Sequence, residues 1–366
     1  MRIALVHPSY WPEVRRGSER LIHDLGTTLA ARGHEVTLLT THPGSTRTDV
    51  EDGITVVRTR RLPQRGPLRW YEHYVTVAPS AFGRLATGSF DVAHAFFTVD
   101  SWAAVLASRF GGPPVVASVH GILDREWLVK RRYRLEMLDL AARRAEAVSV
   151  LSEAAAAPYE RYLGRRPLVL PGGVLAERFQ AADEPDPRPT LICAASLGDP
   201  RKRGPLLFEA FGLLRAQVPD ARLLVTAVPD PVLSGDVGEL PDGAELLAAD
   251  SPAALDAAFA RAWASVLPSV DEAFGLVLLE SMAAGTPVVA ARSGAAPEVI
   301  ADDAGLLFDP DDAVDLARAM AGALDLARDS GTADACRRAA RRWEWGSVVE
   351  RYEAAYDAAV SASGSR

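Results

Sequence analysis

The sequence predicts an α/β protein of two domains, each built on a parallel, doubly wound sheet. Its 366 residues exceed the usual length of a single domain. Short apolar runs alternate with helical stretches along the chain, as expected of repeated β-α-β units. A proline-rich break between Pro171 and Pro189 interrupts this alternation near the middle, because neither a helix nor a central strand tolerates such a segment.

The first half of the chain begins with a predicted strand at 3–6 and a predicted helix over 18–31, whose leucines fall on one stripe. Gly33 is typical of the C-terminal cap of such a helix. Six further apolar runs predict the other strands of this half, at 36–40, 55–57, 92–95, 115–119, 147–151 and 168–170.

After the break the alternation restarts, with predicted strands at 190–194, 222–226, 264–267 and 288–290. Ser251 and Pro252 are typical of a helix start, because serine caps the N-terminus and proline suits the first helical position. Further helices are predicted over 205–217, 276–284, 311–326, 333–343 and 347–360. We therefore divide the chain into domains 1–172 and 173–345 and a final helix, 346–366.

Composition excludes several classes of protein. Hydrophobic residues make up 48% and charged residues 24%, which excludes a disordered chain and a collagen-like repeat. No apolar run reaches 18 residues, so no transmembrane helix is expected, and the N-terminus lacks a signal-peptide pattern. The two cysteines, Cys193 and Cys336, suit a reducing cytoplasm, and no spacing typical of metal ligands is present.

Charge is distributed unevenly. The net charge of −8 argues against a nucleic-acid partner, yet residues 1–170 carry +6 and residues 171–366 carry −14. In the positive half, arginines lie beside aromatic residues, which predicts peripheral contact with an anionic membrane or a phosphorylated lipid acceptor. The alternative is a solvated basic face. The residues concerned are Arg58, Arg60, Arg61, Arg65, Arg69, Trp70, Tyr71 and Tyr74, with Lys130, Arg131, Arg132 and Arg134 on a predicted helix.

The most informative segment joins a predicted strand to a helix that starts at Gly275. Glu272 and Glu280 lie eight positions apart, which on a helix is roughly 12 Å along the axis and about 80° around it. The helix N-terminus offers unpaired N–H groups to an anion. Two carboxylates flanking an anion site suit a nucleotide-sugar. The alternative is a solvated Glu272 and a Glu280 that pairs with a surface arginine.

Three weaker signals lie in other loops. Arg201, Lys202 and Arg203 separate a strand from a helix, where positive charge would stabilise a diphosphate leaving group; the alternative is a solvated basic loop. Gly17 lies in the loop after the first strand, which is an anion-site candidate or a plain helix start. His120 ends a strand and is either a hydrogen-bonding group for a sugar or a structural histidine.

Together these segments resemble glycosyltransferase family 4, the retaining nucleotide-sugar transferases of the GT-B fold. The resemblance covers nearly the whole chain, and the segment from Glu272 to Glu280 is its most specific part. It implies two Rossmann-like domains facing across a cleft, the first binding the acceptor and the second the donor, with the final helix packing on the first domain. Further matching segments are 30–40, 170–174 and 293–300.

The resemblance also implies roles for individual residues. In the family, the first glutamate and the following backbone amides face the donor sugar, and the second glutamate holds the ribose. Carried over, these groups are Glu272, the amides of Phe274, Gly275 and Leu276, and Glu280. No cofactor and no obligatory metal are implied, because the nucleotide-sugar is itself a substrate.

The diphosphate is then expected to be held by Lys202 with Arg201 or Arg203, and Gly17 is expected to contact the donor. His120, Lys202 and Glu272 are the predicted catalytic residues. The sequence departs from the family at three places. Gly-Arg-Leu is replaced by residues 195–197, Ala-Ser-Leu; the first Gly-Gly is replaced by 16–17, Arg-Gly; and Asn-Gly of the linker is replaced by 172–173, Gly-Gly.

The implied reaction is retaining transfer of a hexosyl group from a nucleoside-diphosphate sugar to an acceptor hydroxyl, on a small molecule or a membrane lipid. Two alternatives remain open. One is a sugar-nucleotide epimerase of the same fold, and the other is a non-catalytic protein that binds nucleotide-sugars.

Overall fold

The computed structural model describes residues 1–11, 13–14, 16–62, 73–130, 132–180, 184–226, 239–247 and 251–364. The chain forms two compact units, one of residues 1–172 and 345–366 and the other of residues 173–344. Each unit contains a mainly parallel sheet with intervening helices, which confirms the predicted fold class.

Eight strands form the sheet of the first unit, within the described residues. They are β1 (Arg2–Val6), β2 (Glu35–His42), β3 (Arg47–Glu51), β4 (Ile54–Arg60), β5 (Val92–Ala95), β6 (Val115–Val119), β7 (Ala147–Val150) and β8 (Leu168–Val169). Their spatial order is β3-β4-β2-β1-β5-β6-β7-β8. The order reverses at β1, where Ile3, Leu5 and Val6 are fully buried, as in a doubly wound sheet.

One edge of this sheet departs from the prediction of purely parallel strands. Strand β3 was not predicted, and it runs antiparallel to β4. Its sequence is polar and its residues are largely exposed, so it lacks the apolar run by which the other strands were found. The helices of this unit that precede the linker are α1 (Gly17–Ala31), α2 (Val77–Thr87), α3 (Thr98–Ser108), α4 (Arg125–Lys130), α5 (Arg132–Arg144) and α6 (Glu153–Leu163).

The second unit contains a six-stranded, all-parallel sheet in its described part. Its strands are β9 (Thr190–Cys193), β10 (Arg222–Thr226), β11 (Ala244–Leu247), β12 (Ala264–Leu267), β13 (Val288–Ala291) and β14 (Gly305–Phe308). The order β11-β10-β9-β12-β13-β14 reverses between β9 and β12. Ligands of open α/β sheets bind beyond the carboxyl ends of the strands at such a reversal.

The helices of the second unit are α7 (Gly204–Gln217), α8 (Pro252–Arg261), α9 (Leu276–Ala284), α10 (Ala296–Val299), α11 (Ala313–Leu326) and α12 (Thr332–Arg341). The predicted start of α8 is confirmed, because Ser251 Oγ accepts a hydrogen bond from the Ala254 N–H at 3.2 Å. Strands β11 and β14 were not predicted.

The last helix, α13 (Trp345–Gly364), packs on the first unit, as the resemblance implied. Its Tyr356 hydroxyl lies 2.8 Å from Nδ1 of the buried His94 on β5. Its Tyr352 hydroxyl lies 3.1 and 2.9 Å from the carbonyl oxygens of Leu170 and Pro171. The helix is therefore fixed both to the sheet and to the segment that leaves it.

Candidate functional site

Glu272 lies in the loop between β12 and α9, and only Glu280 lies on the helix. The chain is not helical before Leu276, because Asp271 and Gly275 adopt left-handed backbone conformations with φ of 55° and 88°. The predicted helical spacing of the two carboxylates was therefore wrong. Gly275 is the N-cap of α9, so the prediction that the helix opens there is confirmed.

A second loop fixes the backbone around Glu272. The Ala295 N–H donates to the carbonyl oxygen of Glu272 at 2.9 Å, and the Asp271 N–H donates to Ser293 Oγ at 3.1 Å. Gly294 lies between these contacts with φ of 56°, and a Cβ at this position would lie 2.4 Å from that carbonyl oxygen. Only glycine permits this close approach, so the loop after β13 determines where the Glu272 side chain begins.

The ammonium of Lys202 forms an ion pair with the Glu272 carboxylate. Lys202 comes from the loop after β9 and Glu272 from the loop after β12, the two strands at which the sheet order reverses. Both side chains are about one-fifth exposed, at 22% and 20%. The loop that holds Glu272 leads to Gly275, the N-cap of α9, after which the first N–H groups have no intrahelical acceptor. A cation and a helix N-terminus together form a suitable environment for an anion.

The two arginines beside Lys202 form ion pairs with other carboxylates. Arg201 pairs with Asp199 at 2.6 Å and is 71% exposed, whereas Arg203 pairs with Asp311. Burial opposes ionisation of Asp199, but the side chain and the N–H of Arg201 donate to its carboxylate, and the net effect lowers its pKa. Of the three consecutive cations, Lys202 is the one placed against Glu272.

Arg178 contacts Glu280 from the segment that enters the second unit. Its Nη2 lies 3.2 Å from Glu280 Oε1, and its guanidinium also makes two hydrogen bonds to Asp256 on α8, at 2.7 and 3.0 Å. The alternative reading of the sequence anticipated an arginine partner for Glu280 but not its identity. Arg178 lies 102 positions earlier in the chain, and no local pattern links the two.

The segment at the start of α9 is anchored by an aromatic contact. Phe274 is buried and packs edge-on against Trp343, with ring centroids 5.2 Å apart. Leu276 is half-buried and begins the helix. The Phe274 side chain thus serves packing, and the predicted donor contact of this residue, through its backbone amide, stays a prediction.

His120 follows β6 in the first unit, and both of its ring nitrogens are buried without a hydrogen-bond partner in the described structure. Burial, together with the nearby His7, lowers the pKa of His120 to about 3. The imidazole is therefore neutral near pH 7 and can donate from one nitrogen and accept at the other. Unpaired buried polar groups are costly, which favours a binding role over a structural one.

A further buried carboxylate, Glu19, follows β1 at the start of α1 and was not identified from the sequence. Gly17 begins α1, and in its first turn Glu19 accepts a hydrogen bond from Ser9 Oγ at 2.7 Å. The other carboxylate oxygen of Glu19 is buried and has no partner among the described residues. His7 lies near this carboxylate and donates from Nδ1 to the Ser9 carbonyl oxygen, 2.7 Å away.

Several residues of the predicted basic surface have internal partners. Arg58 is buried and pairs with Asp49 and Glu51, at 3.0 and 2.5 Å, and Arg61 pairs with Glu13 at 2.7 Å. Arg58 is therefore not a surface cation, contrary to the prediction. Arg60 is exposed. Arg65, Arg69, Trp70 and Tyr71 lie outside the described residues, as does the side chain of Tyr74.

The second basic segment lies on two helices rather than on the single predicted one. Lys130 is exposed at the end of α4, and α5 begins at Arg132. The Arg134 guanidinium lies 4.5 Å from the centre of the Trp127 ring. Arg131 and the side chain of Arg132 lie outside the described residues.

None of the described helices combines the length and the apolar character needed to cross a membrane. No group of three or more histidine, cysteine, aspartate or glutamate side chains in the described ranges could hold a metal ion.

Two family models match the chain, one over each unit. The model described as Glycosyltransferase Family 4 matches residues 15–178, and the model described as Glycosyl transferases group 1 matches residues 188–325. A phosphatidyl-myo-inositol mannosyltransferase of Mycobacterium leprae (strain TN) is 28% identical over 100% of this chain and 99% of its own.

Solved structures are similar over the full length. Sucrose-phosphate synthase from Thermosynechococcus elongatus has a TM-score of 0.81 at 21% identity, covering 99% of both chains. HepE from Anabaena, in complex with UDP-glucose, has a TM-score of 0.72 at 20% identity, covering 99% of this chain and 100% of its own. Because these relatives are transferases, the comparison does not favour the epimerase alternative or the non-catalytic alternative. The chain belongs to glycosyltransferase family 4 and is a GT-B glycosyltransferase that uses nucleotide-sugars.

Proposed function

We propose that this chain transfers a hexosyl group from a nucleoside-diphosphate sugar to an acceptor hydroxyl, with retention of the anomeric configuration. The observation that carries the proposal is the ion pair of Lys202 and Glu272 at the reversal of the second sheet. It joins a cation to a carboxylate in the loop that leads into the N-terminus of α9. These are the groups required by a ligand that has a diphosphate next to a hydroxylated ring.

Lys202 and the start of α9 would bind the diphosphate. Negative charge develops on the leaving phosphate as the bond to the anomeric carbon breaks, so a cation already in place stabilises the transition state. The loop after β9 is held by the Asp199 cap, and the start of α9 by Phe274. Such fixed groups need little reorganisation when the charge appears.

Glu272 would accept hydrogen bonds from hydroxyl groups of the donor sugar, beside the amides of Phe274, Gly275 and Leu276. Glu280 would hold the ribose hydroxyls one turn further along α9.

The acceptor hydroxyl would form the new bond to the anomeric carbon on the face that the leaving phosphate vacates. Its proton passes to a phosphate oxygen of the departing diphosphate, which gains the electron pair of the broken bond. Because His120 is neutral, it can hydrogen-bond to a sugar hydroxyl without repelling a cationic transition state. Gly17, Arg201 and Arg203 remain expected donor-side positions.

Two relatives suggest the classes of donor and acceptor. HepE was solved with UDP-glucose, and the relative from Mycobacterium leprae transfers mannose to phosphatidyl-myo-inositol, as its name states. We infer a hexose donor and an acceptor rich in hydroxyl groups, either free or carried on a lipid. The chain would act in the cytoplasm, at the membrane surface where the acceptor is a lipid.

The test is a panel of UDP-, GDP-, ADP- and TDP-linked glucose and mannose, with nucleoside diphosphate release as the readout. Each donor is tested with free myo-inositol, with a panel of free sugars and with phosphatidylinositol vesicles. We expect one donor to release diphosphate faster with an acceptor, and the product to keep the α configuration by NMR. Lys202→Ala serves as the inactive control. A product of inverted configuration contradicts retention, and no release from any donor contradicts the transferase proposal.

A further inference from the structure

Arg178 links the segment that enters the second unit to two helices of its sheet. Its Nε and Nη2 make a bidentate pair with Asp256 on α8, at 2.7 and 3.0 Å. The same Nη2 also donates to Glu280 on α9, at 3.2 Å. The three side chains are only 23%, 11% and 15% exposed. One guanidinium therefore lies between two mostly buried carboxylates.

The two contacts differ in kind. The bidentate pair with Asp256 fixes the plane of the guanidinium, because two parallel N–H···O bonds leave little rotational freedom. The Arg178 guanidinium also lies 4.4 Å from the centre of the Phe179 ring, which restrains the side chain further. The single bond to Glu280 is thus made by a donor whose position is already set. An ionised carboxylate accepts about four hydrogen bonds, and the bond from Arg178 uses one of them.

We propose that Arg178 is a positioning residue for donor binding, which holds the Glu280 carboxylate in the orientation that receives the two ribose hydroxyls of the nucleotide. The proposal rests on the proposed function, in which Glu280 binds the ribose. A vicinal diol requires both carboxylate oxygens at a defined angle, and a glutamate has three rotatable bonds. Arg178 removes that freedom before the nucleotide arrives.

The arrangement also has an electrostatic consequence. The positive charge of Arg178 offsets the negative charges of both Asp256 on α8 and Glu280 on α9. Without it, Asp256 and Glu280 would repel each other and Glu280 would turn away or take up a proton. A protonated or rotated Glu280 accepts fewer hydrogen bonds from a ribose.

The experiment compares each nucleoside diphosphate with its 2′-deoxy form by isothermal titration calorimetry, using UDP, GDP and ADP. In the natural protein we expect the ribose form to bind roughly ten-fold or more tightly than the deoxy form, as for a hydrogen bond to a charged group. In Arg178→Ala this ratio should fall to near one, as it should in Glu280→Ala. The double variant should lose no more than either single variant, because both remove the same contact.

Arg222 supplies a matched control. It also bridges two carboxylates of this unit, with two bonds to Glu245 at 2.9 and 2.6 Å and one to Asp186 at 3.2 Å. Its side chain is 25% exposed, close to the 23% of Arg178. Arg222→Ala removes the same number of bonds but should keep the ribose preference unchanged.

Two milder variants protect the test from a failure to fold. Asp256→Asn leaves the guanidinium in place but weakens its anchor, and it should reduce the ribose preference only in part. Arg178→Lys keeps the charge but not the two-point contact, and it too should recover only part of the preference. An undiminished ratio in Arg178→Ala, or an equal loss in Arg222→Ala, overturns the role of Arg178 alone. Binding of TDP alone, among UDP, GDP, ADP and TDP, overturns the role of Arg178 and leaves the proposed function standing. If none of the four diphosphates binds the natural protein, the proposed function fails as well.

Discussion

Lys202 and Glu272 neutralise each other across two loops that are 70 residues apart in the chain. The pair forms because the reversal of strand order places the carboxyl ends of β9 and β12 side by side. A diphosphate that reaches Lys202 must compete with Glu272 for the ammonium. Binding of the donor would therefore release the Glu272 carboxylate toward the sugar at the moment when it is needed.

The first prediction concerns the shape of the cation at position 202. Only two of the forty basic residues are lysines, Lys202 and Lys130. A compact ammonium on a flexible stem is not equivalent to a planar guanidinium beside a crowded diphosphate. We expect Lys202→Ala to lower kcat by about 100-fold or more, as loss of charge stabilisation in the transition state does. Lys202→Arg should also lose activity.

Lys130→Arg is the matched control, because Lys130 is exposed at the end of α4 in the other unit. It should leave turnover unchanged. The measurement is kcat at saturating donor for the three variants. Full turnover in Lys202→Arg would show that the positive charge matters and its geometry does not.

The second prediction separates binding from turnover at Glu272. Glu272→Gln keeps the size of the side chain but removes the charge that neutralises Lys202. We expect nucleoside diphosphate to bind a few-fold more tightly, because its negative charge no longer competes with a carboxylate. Turnover should nevertheless fall about ten-fold or more, since the sugar loses a charged hydrogen-bond acceptor. Calorimetry and steady-state kinetics on one protein sample check both effects, and weaker diphosphate binding contradicts the competition.

The strands that the sequence predicted share one property, an apolar run, which is largely buried in all of them except the short edge strand β8. Strand β3 lacks it, because its face is polar and it pairs at an open edge. Strand β14 begins with Gly305, where a Cβ would lie 2.4 Å from the carbonyl oxygen of Val288. The close approach of the two strands therefore requires glycine, and glycine is not typical of a strand sequence. Local pattern therefore identifies central strands better than edges.

At the site, the sequence identified charged residues but not how they pair. Lys202, Glu272 and Glu280 were all singled out, yet Arg178 was missed because its contact with Glu280 depends on the tertiary fold. The helical spacing of the two glutamates failed because Gly275, correctly placed at the start of α9, keeps Glu272 outside the helix. Spacing constrains geometry only when the backbone between two residues is regular.

The third prediction tests the close contact at Gly294. Gly294→Ala should destabilise the second unit and raise the donor KM, because the left-handed conformation costs about 1–2 kcal/mol and the new Cβ would clash with the Glu272 carbonyl oxygen. Gly212→Ala is the control, since Gly212 lies on α7 with open space around it. That change should stabilise the helix by about 0.5–1 kcal/mol. The measurements are the denaturant midpoint of unfolding and the donor KM of both variants. Equal midpoints and equal KM values in the two variants would rule out the proposed contact.

The fourth prediction concerns acid sensitivity. Burial lowers the pKa of His7, His94 and His120 below the ordinary imidazole value, to about 3 for His120. Below about pH 6.5 these three histidines therefore bind more protons in the unfolded chain than in the folded one, and their contribution to the free energy of unfolding falls as pH falls. Each such histidine contributes a slope of up to about 1.4 kcal/mol per pH unit.

Thermal melts between pH 7.5 and pH 5 measure this slope. His120→Phe should reduce the slope, because the replacement fills the site without binding a proton. The effect for His120 should extend from about pH 6.5 toward pH 3. An identical slope in the variant would falsify the assignment of a neutral, buried His120.

The last prediction concerns the membrane. Because Arg58 and Arg61 have internal partners, membrane attraction must come from other cations of the first unit. Lys130 is one, and it is exposed beside Val129, whose surface is 54% accessible. An exposed cation next to an exposed apolar side chain suits the headgroup region of an anionic bilayer. We expect Lys130→Glu to weaken binding to phosphatidylglycerol vesicles at low salt, whereas Arg328→Glu, at a 54% exposed side chain of the acidic unit, should have no effect.

Binding should fade as salt rises, because the Debye length shrinks from about 30 Å at 0.01 M to about 10 Å at 0.1 M. If sedimentation with these vesicles finds no binding at 0.01 M salt, a soluble acceptor replaces the lipid one.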